Sequence, residues 1–394
     1  MASKNIKRFL LLFALGVAYG FMYVMPYMKS SFYDQMIAAM GCTNAQLGSL
    51  MTYYTIALTV SYLPGGWIGD KFKPKPILLV SIFGQAALSF LFMFTYQSYT
   101  MAVIIWLLMA LTGGFAFWPA LMKGIRMTGG DEEQGRIFGV FEALNGCASL
   151  LLSFIMLGIM SIAGGGDLIT GFKSALACMG VLSAVSGVLV LLLMPKESAY
   201  GSDGEAATGK ITVRDYIDTF KIPGVWIMSI LVWCYVTISA VASYLTPYST
   251  NVLGMSAYGC RMIGGPLGGI LADKVFKSVS KEQVLGQAAC IVTLGVFLVI
   301  PSGVNSGVLV VLLLLVGVAM FLCKGTYFSV QPELGIPTNV SATAVAIATL
   351  IGYLPDMFVH TMFGNCYGRP RLHCRPYRCA AVQKNCKKGR LNDR

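Results

Sequence analysis

The chain has 394 residues, 56% hydrophobic and only 12% charged, with 29 Lys/Arg against 17 Asp/Glu for a formal charge of +12. A soluble domain carries about 25% charged residues, so this composition excludes an ordinary soluble enzyme and selects a membrane protein. The charge excess does not mark a nucleic-acid face: nine Lys/Arg and one Asp crowd residues 365–394, and the other basic residues lie in loops.

A bilayer-spanning helix needs roughly 20 apolar residues. In chain order, apolar segments run over 9–28, 45–69, 76–95, 101–123, 136–162 and 171–194. A polar connection at 195–222 follows, and the segments resume at 223–248, 257–272, 284–301, 306–329 and 341–363. The pattern predicts an all-α polytopic membrane protein with about eleven transmembrane segments. Its expected divisions are an N-terminal transmembrane half over 1–194, a cytoplasmic linker over 195–222, a C-terminal half over 223–364 and a basic, Cys-rich tail over 365–394. The first apolar segment is too long for a secretory signal. Placing the N-terminus inside puts Lys7, Arg8, Lys71, Lys73, Lys75, Arg126 and most other basic residues on one side, leaving Lys29 and Lys173 on the other. The positive-inside bias then makes the N-terminus cytoplasmic.

The stretch "PGGWIGDKFKPKP" (64–76) has a near copy in "PLGGILADKVFK" (266–277). Gly65, Gly66, Asp70 and Lys71 correspond to Gly268, Gly269, Asp273 and Lys274, each 203 residues later. Lys123-Gly124 and Lys324-Gly325 correspond 201 residues apart, and Pro26-Tyr27 matches Pro247-Tyr248. In order and in matching places, these pairs predict two related halves about an axis along the membrane normal.

The loop after the second segment resembles the signature of the major facilitator superfamily, an acid and a base following a spaced glycine; here Gly66, Asp70 and Lys71 carry it, with Lys73 where the family has a later glycine. Gly269, Asp273 and Lys274 supply the second copy, and "EEQGRIFG" (132–139) is similar to the family's loop between helices 4 and 5. "FWPALMKGIRM", "RMIGGPLGG" and "GYLPDMF" resemble a bacterial inner-membrane branch of that superfamily. The resemblance implies two six-helix halves in the inner membrane and an acid that latches them in the outward-open state. By position, Arg126 is the expected partner of Asp70. The opposing reading of the motif is a solvated charge on a tight loop.

Ionisable groups inside a bilayer are costly and default to functional hypotheses. Lys123, Lys324 and Lys29 are candidates to bind an anionic solute, with Tyr23 and Trp118 lining the pocket. Against this, a long basic side chain can snorkel to the headgroups and an aromatic can be packing or belt. Glu142 and the pair Asp356 and His360, four apart on one helical face, are candidates for proton coupling. No Walker-type loop or metal-ligand spacing is evident, so neither a cofactor nor a metal is expected.

Two irregularities stand out. From Pro26 to Asp70 the first half spends 44 residues, and from Pro247 to Asp273 the second spends 26, so helix 8 is expected to be short, over 257–272 with Arg261 inside it. A twelfth helix is missing, and "CYGRPRLHCRPYRCAAVQKNCKKGRLNDR" stands in its place, as a translated frameshift or a lipid-binding polybasic tail. The expected function is a secondary active transporter, monomeric, moving a small and anionic organic solute by alternating access with a proton or counter-solute. The alternatives are a non-functional remnant of such a transporter and a solute-sensing membrane receptor on the same fold.

Overall fold

The computed structural model describes residues 2–28, 32–194, 213–243, 256–299 and 306–355, and every regular element among them is helical. Helix α1 (Ala2–Val24) is followed by a short α2 (Tyr33–Met40), which ends on Gly41 in the left-handed region (φ 61). Thr43 then starts α3 (Asn44–Lys71) with a reciprocal cap: Gln46 N–H donates to Thr43 Oγ1 at 3.2 Å and Thr43 N–H donates to Gln46 Oε1 at 2.9 Å. Helix α4 (Pro74–Thr95) opens on a proline, whose missing N–H costs nothing in a first turn. Lys75 reaches across to the end of α8, donating to the carbonyl oxygens of Leu191 at 2.7 Å and of Met194, where a cation offsets the helix dipole.

Helix α5 (Tyr99–Ala110) passes through a π-helical stretch, Leu111–Phe117, into α6 (Trp118–Arg126). Helix α7 (Gln134–Gly164) and α8 (Leu168–Leu193) are joined by Gly165 and Gly166, both with positive φ. Asp167 caps α8, accepting the N–H groups of Ile169 and Thr170 at 3.1 and 3.2 Å. The later part holds α9 (Val213–Thr219), α10 (Pro223–Ser243), α11 (Ser256–Ile270), α12 (Val279–Val299), α13 (Ser306–Thr326) and α14 (Ser341–Gly352).

Six helical stretches among the described residues are long and apolar enough to cross a membrane: Asn5–Val24, Pro74–Thr95, Tyr99–Arg126, Asp131–Gly164, Leu168–Leu193 and Pro223–Ala240. Their outward side chains fit that reading. Phe94 and Leu192 are 76% and 75% exposed, an aggregation hazard in water and ordinary contact in lipid. The expected short helix over 257–272 is corrected at its end: it runs on through Phe276, because Leu271–Phe276 takes π turns and Lys277 stops it in the left-handed region (φ 49). Most of the connection at 195–222, the tail at 365–394, the question of a twelfth helix, Lys29, Asp356 and His360 lie outside the described residues, as does the side chain of Arg261.

The duplicated glycine pairs explain how the helices approach. Adjacent residues on a helix point about 100° apart, so two neighbouring glycines open two different faces. A Cβ on Gly65 would sit 1.1 Å from the Phe115 carbonyl oxygen, and one on Gly268 2.5 Å from that of Leu322. Each first glycine therefore seats its helix on the fourth long segment of its own part of the chain. The second glycine faces the other part: a Cβ on Gly66 would meet Ala346 Cβ at 2.6 Å, and one on Gly269 the Gly135 carbonyl oxygen at 2.3 Å. Small residues permit this backbone approach where no hydrophobic effect drives helices together. Gly65→Ala is expected to cost about 3 kcal/mol by overpacking against backbone, seen as loss of the monodisperse peak in size-exclusion chromatography. Gly48→Ala, where a Cβ meets nothing within 4 Å, is the matched control and retains the peak.

Candidate functional site

Asp70 is the penultimate residue of α3 and is 2% exposed. Its carboxylate does not face solvent. Oδ1 accepts the Ala342 N–H at 2.9 Å and Oδ2 accepts the Thr343 N–H at 2.6 Å, the second and third residues of α14. The first N–H groups of a helix have no intrahelical partner, and the dipole there favours an anion. Lys123 completes the arrangement: its Nζ lies 3.3 Å from Asp70 Oδ1 and donates to the carbonyl oxygens of Gly69 at 3.2 Å and Asp70 at 3.1 Å.

Asp273 repeats this geometry with the roles of the two parts exchanged. Oδ1 accepts the Gly135 N–H at 3.1 Å and Oδ2 the Arg136 N–H at 2.8 Å, the second and third residues of α7. Arg136 Nε adds a contact to Oδ2 at 3.3 Å. Each acid therefore ties the end of one glycine-rich helix to the start of a helix from the other part of the chain.

Two expectations are corrected here. Among the described residues Arg126 makes no direct ion pair with Asp70; it donates to Gln331 Oε1 at 2.9 Å and to the Ile336 carbonyl oxygen at 2.8 Å, a third tie across the same end. Lys123, expected to line a solute site, is committed to Asp70 instead. The three-residue step from Lys123 to Arg126 stays near one face of α6, so composition alone could not tell them apart. Lys71 leaves the latch and stacks over Trp67, its Nζ 4.3 Å from the ring centroid, while Lys274 is exposed. Gly66 and Gly269 are the close-approach positions described above. Lys324 is half-buried, its Nζ 5.8 Å from the Phe321 ring centroid.

Tyr23 and Trp118 are brought together. Tyr19 lies between them, with ring centroids 5.3 Å from each, and Phe141 is 5.6 Å from Tyr19. Trp118 reaches the later helices: its Nε1 donates to Thr349 Oγ1 at 3.2 Å and its ring meets Phe328 at 5.8 Å. Tyr23 donates to the Gly113 carbonyl oxygen at 3.0 Å, within the π-helical stretch, where the i→i+5 pattern disturbs the ordinary ladder. The neighbouring Tyr54 hydroxyl is buried and has no hydrogen-bond partner among the described residues. Tyr235, Tyr327 and Tyr353 continue the aromatic layer, with Tyr235 and Tyr327 at 5.3 Å and the hydroxyls of Tyr327 and Tyr353 at 3.4 Å. Glu142 is buried on α7, where Asn145 Nδ2 donates to it at 3.2 Å. Sequence reasoning missed Tyr19, Tyr54 and the later tyrosines; aromatics recurring on several apolar helices were the available signal.

This geometry has known relatives. The model of the Major Facilitator Superfamily matches residues 9–359, and the chain belongs to that family of transporters. Among curated proteins of Escherichia coli K12, the inner membrane protein YqcE is 26% identical over 379 residues, covering 93% of this chain and 88% of that one. Inner membrane protein YihN is 25% identical over 371 residues, covering 91% and 87%. Family, relatives and apolar helices together make this chain a multi-pass inner-membrane protein. Among solved structures, the transporter FucP in its outward conformation superposes with a TM-score of 0.67 at 18% identity, covering 92% of each chain. The proton:xylose symporter XylE superposes at 0.65 with 14% identity, covering 93% of this chain and 90% of that one.

Asp70→Asn keeps the size and removes the charge that pairs with buried Lys123. Breaking one member of a buried pair costs about 3 kcal/mol, so deuterium uptake at the amides of Ala342 and Thr343 is expected to rise. Unchanged uptake there would sink the latch. A second test concerns Glu333, outside the spanning helices, which accepts the Ser280 N–H at 3.0 Å, the Ser278 hydroxyl at 3.0 Å and the Val279 N–H. Burial pushes its carboxyl up, but the hydrogen bonds from Ser280, Val279 and Ser278 outweigh it and hold it below the ordinary carboxylate range. A depressed value means the stabilisation is present above the unfolded value and is lost as pH falls through the folded one. Exchange protection at Val279 and Ser280 is expected to hold at neutral pH and collapse only in that acid window.

Proposed function

We propose that this chain is a secondary active transporter of a small organic solute, working by alternating access between two transmembrane halves. The proposed halves span 1–194 and 223–364, joined by the cytoplasmic connection 195–222 and followed by the tail 365–394. The observation that carries this reading is the pair of exchanged latches, Asp70 on the start of α14 and Asp273 on the start of α7. Each can open without breaking a helix, because what it grips is a helix end. By the positive-inside bias the N-terminus and both latches are cytoplasmic. With both latches made, the arrangement is closed at that end, and the aromatic layer around Tyr23 and Trp118 is where a solute would be held.

The solute class needs revising in one respect. Lys123 is committed to Asp70, so an anionic solute would draw its counter-charge from Lys324 or Lys29. Glu142 is the described candidate for coupling to a proton; exchange against a counter-solute is the other route. The protein acts as a monomer with the lipid bilayer and its solute as partners, without nucleic acid, a cofactor or enzymatic chemistry.

The test is counterflow of labelled solutes into proteoliposomes holding the full chain, screening sugar phosphates, sugar acids and carboxylates. Accumulation above protein-free liposomes is expected for one class, and reduced accumulation in Asp70→Asn. Binding without uptake assigns the receptor reading, and neither binding nor uptake assigns a non-functional remnant.

A further inference from the structure

Glu282 lies in the first turn of α12 and is 2% exposed. Its Oε2 accepts the Thr326 hydroxyl of α13 at 2.6 Å and the Gln283 amide at 3.2 Å. Gln283 is fixed in turn, donating to Thr326 Oγ1 at 2.6 Å and to the Cys323 carbonyl oxygen at 2.9 Å. Glu282 Oε1 is buried and has no hydrogen-bond partner among the described residues.

Among the described residues the surroundings offer no counter-charge. Cys323 on α13 and Cys290 two turns along α12 are thiols that hydrogen-bond each other. Lys324 follows Cys323 in the chain, but its Nζ lies over the Phe321 ring. Helix α10 contributes the Leu231 carbonyl oxygen, which Gln287 satisfies at 3.1 Å. In the turn before α12, Asp273 is engaged with Gly135 and Arg136, and Lys274 is exposed. Glu333 from the 327–335 segment is engaged with Ser278, Val279 and Ser280. Among the described residues Glu282 forms no ion pair.

An ionised carboxylate buried without a cation, and with one oxygen lacking a hydrogen-bond donor from the described residues, takes up a proton in preference to bearing that cost. We propose that Glu282 is a proton-binding site between α12 and α13, held as the neutral acid in this latched arrangement. The site joins the later helices to the coupling ion of the transporter reading. That role rests on the reading; the protonation itself does not.

The experiment uses the full chain in lipid and infrared spectroscopy, which reads the carbonyl stretch of a protonated carboxyl directly and needs no solute. At neutral pH the wild type is expected to show such a band, weakening as the medium is made alkaline, and Glu282→Gln is expected to lack it. Identical spectra with and without Glu282, or no protonated-carboxyl band at neutral pH, overturns the proposal. Should Glu282→Gln fail to give a monodisperse protein, the wild type decides alone. Dicyclohexylcarbodiimide, which adds to protonated carboxyls in apolar surroundings, is then expected to mark the Glu282 peptide at neutral pH and less as pH rises. A wild type with no pH-dependent band and no mark on that peptide overturns it. Failure of counterflow leaves this result standing, so the two readings fail separately.

Discussion

A carboxylate facing the free N–H groups at the start of a helix is a strong contact wherever water is scarce. The donors are fixed in direction, the dipole adds attraction, and the alternative is a buried charge with nothing to solvate it. Asp70 and Asp273 both use this device, each reaching the second and third residues of a helix from the other part of the chain. The other features of that end serve it. Gly66 and Gly269 bring the backbones near enough, Lys123 and Arg136 balance the charge, and Arg126 adds a parallel tie to Gln331 and Ile336.

The two latches are related in geometry and unequal in burial. The Asp70 side chain is fully buried and its cation comes from its own part of the chain, whereas Arg136, the cation beside Asp273, is 42% exposed and comes from the other part. Exposed pairs are worth little and are screened by salt. The ion pair at Asp70 is therefore the better shielded of the two, while the Asp273 side chain, 6% exposed, keeps the same pair of backbone N–H contacts.

Much of the framework was legible because it depends on residue type at fixed spacing. The apolar runs placed the helices, and the repeated glycine pair with its acid placed both latches. What the acids bind was not legible, since a backbone N–H at Ala342 or Thr343 leaves no mark in a sequence. The choice between Lys123 and Arg126 turned on how one face of α6 is rotated. Glu282 was hidden for another reason. Its neighbours Ser280, Lys281 and Gln283 read as a polar loop, so the apolar segment was expected to begin at 284. The helix in fact begins at Val279 and buries the acid. Lys29, Asp356 and His360 lie outside the described residues and remain expectations from sequence.

The π-helical stretch at Leu111–Phe117 sits upstream of everything α6 does. Trp118, Lys123 and Arg126 all follow it on one rigid helix. Shifting that stretch to the ordinary hydrogen-bond pattern would turn the helix beyond it by a large fraction of the about 100° that one residue spans. Such a rotation would carry the indole away from Thr349 and withdraw the ammonium from Asp70 together. The stretch thus sets the rotation of one helix that carries both the indole contact with Thr349 and the ion pair with Asp70, so the two contacts share a single geometric determinant.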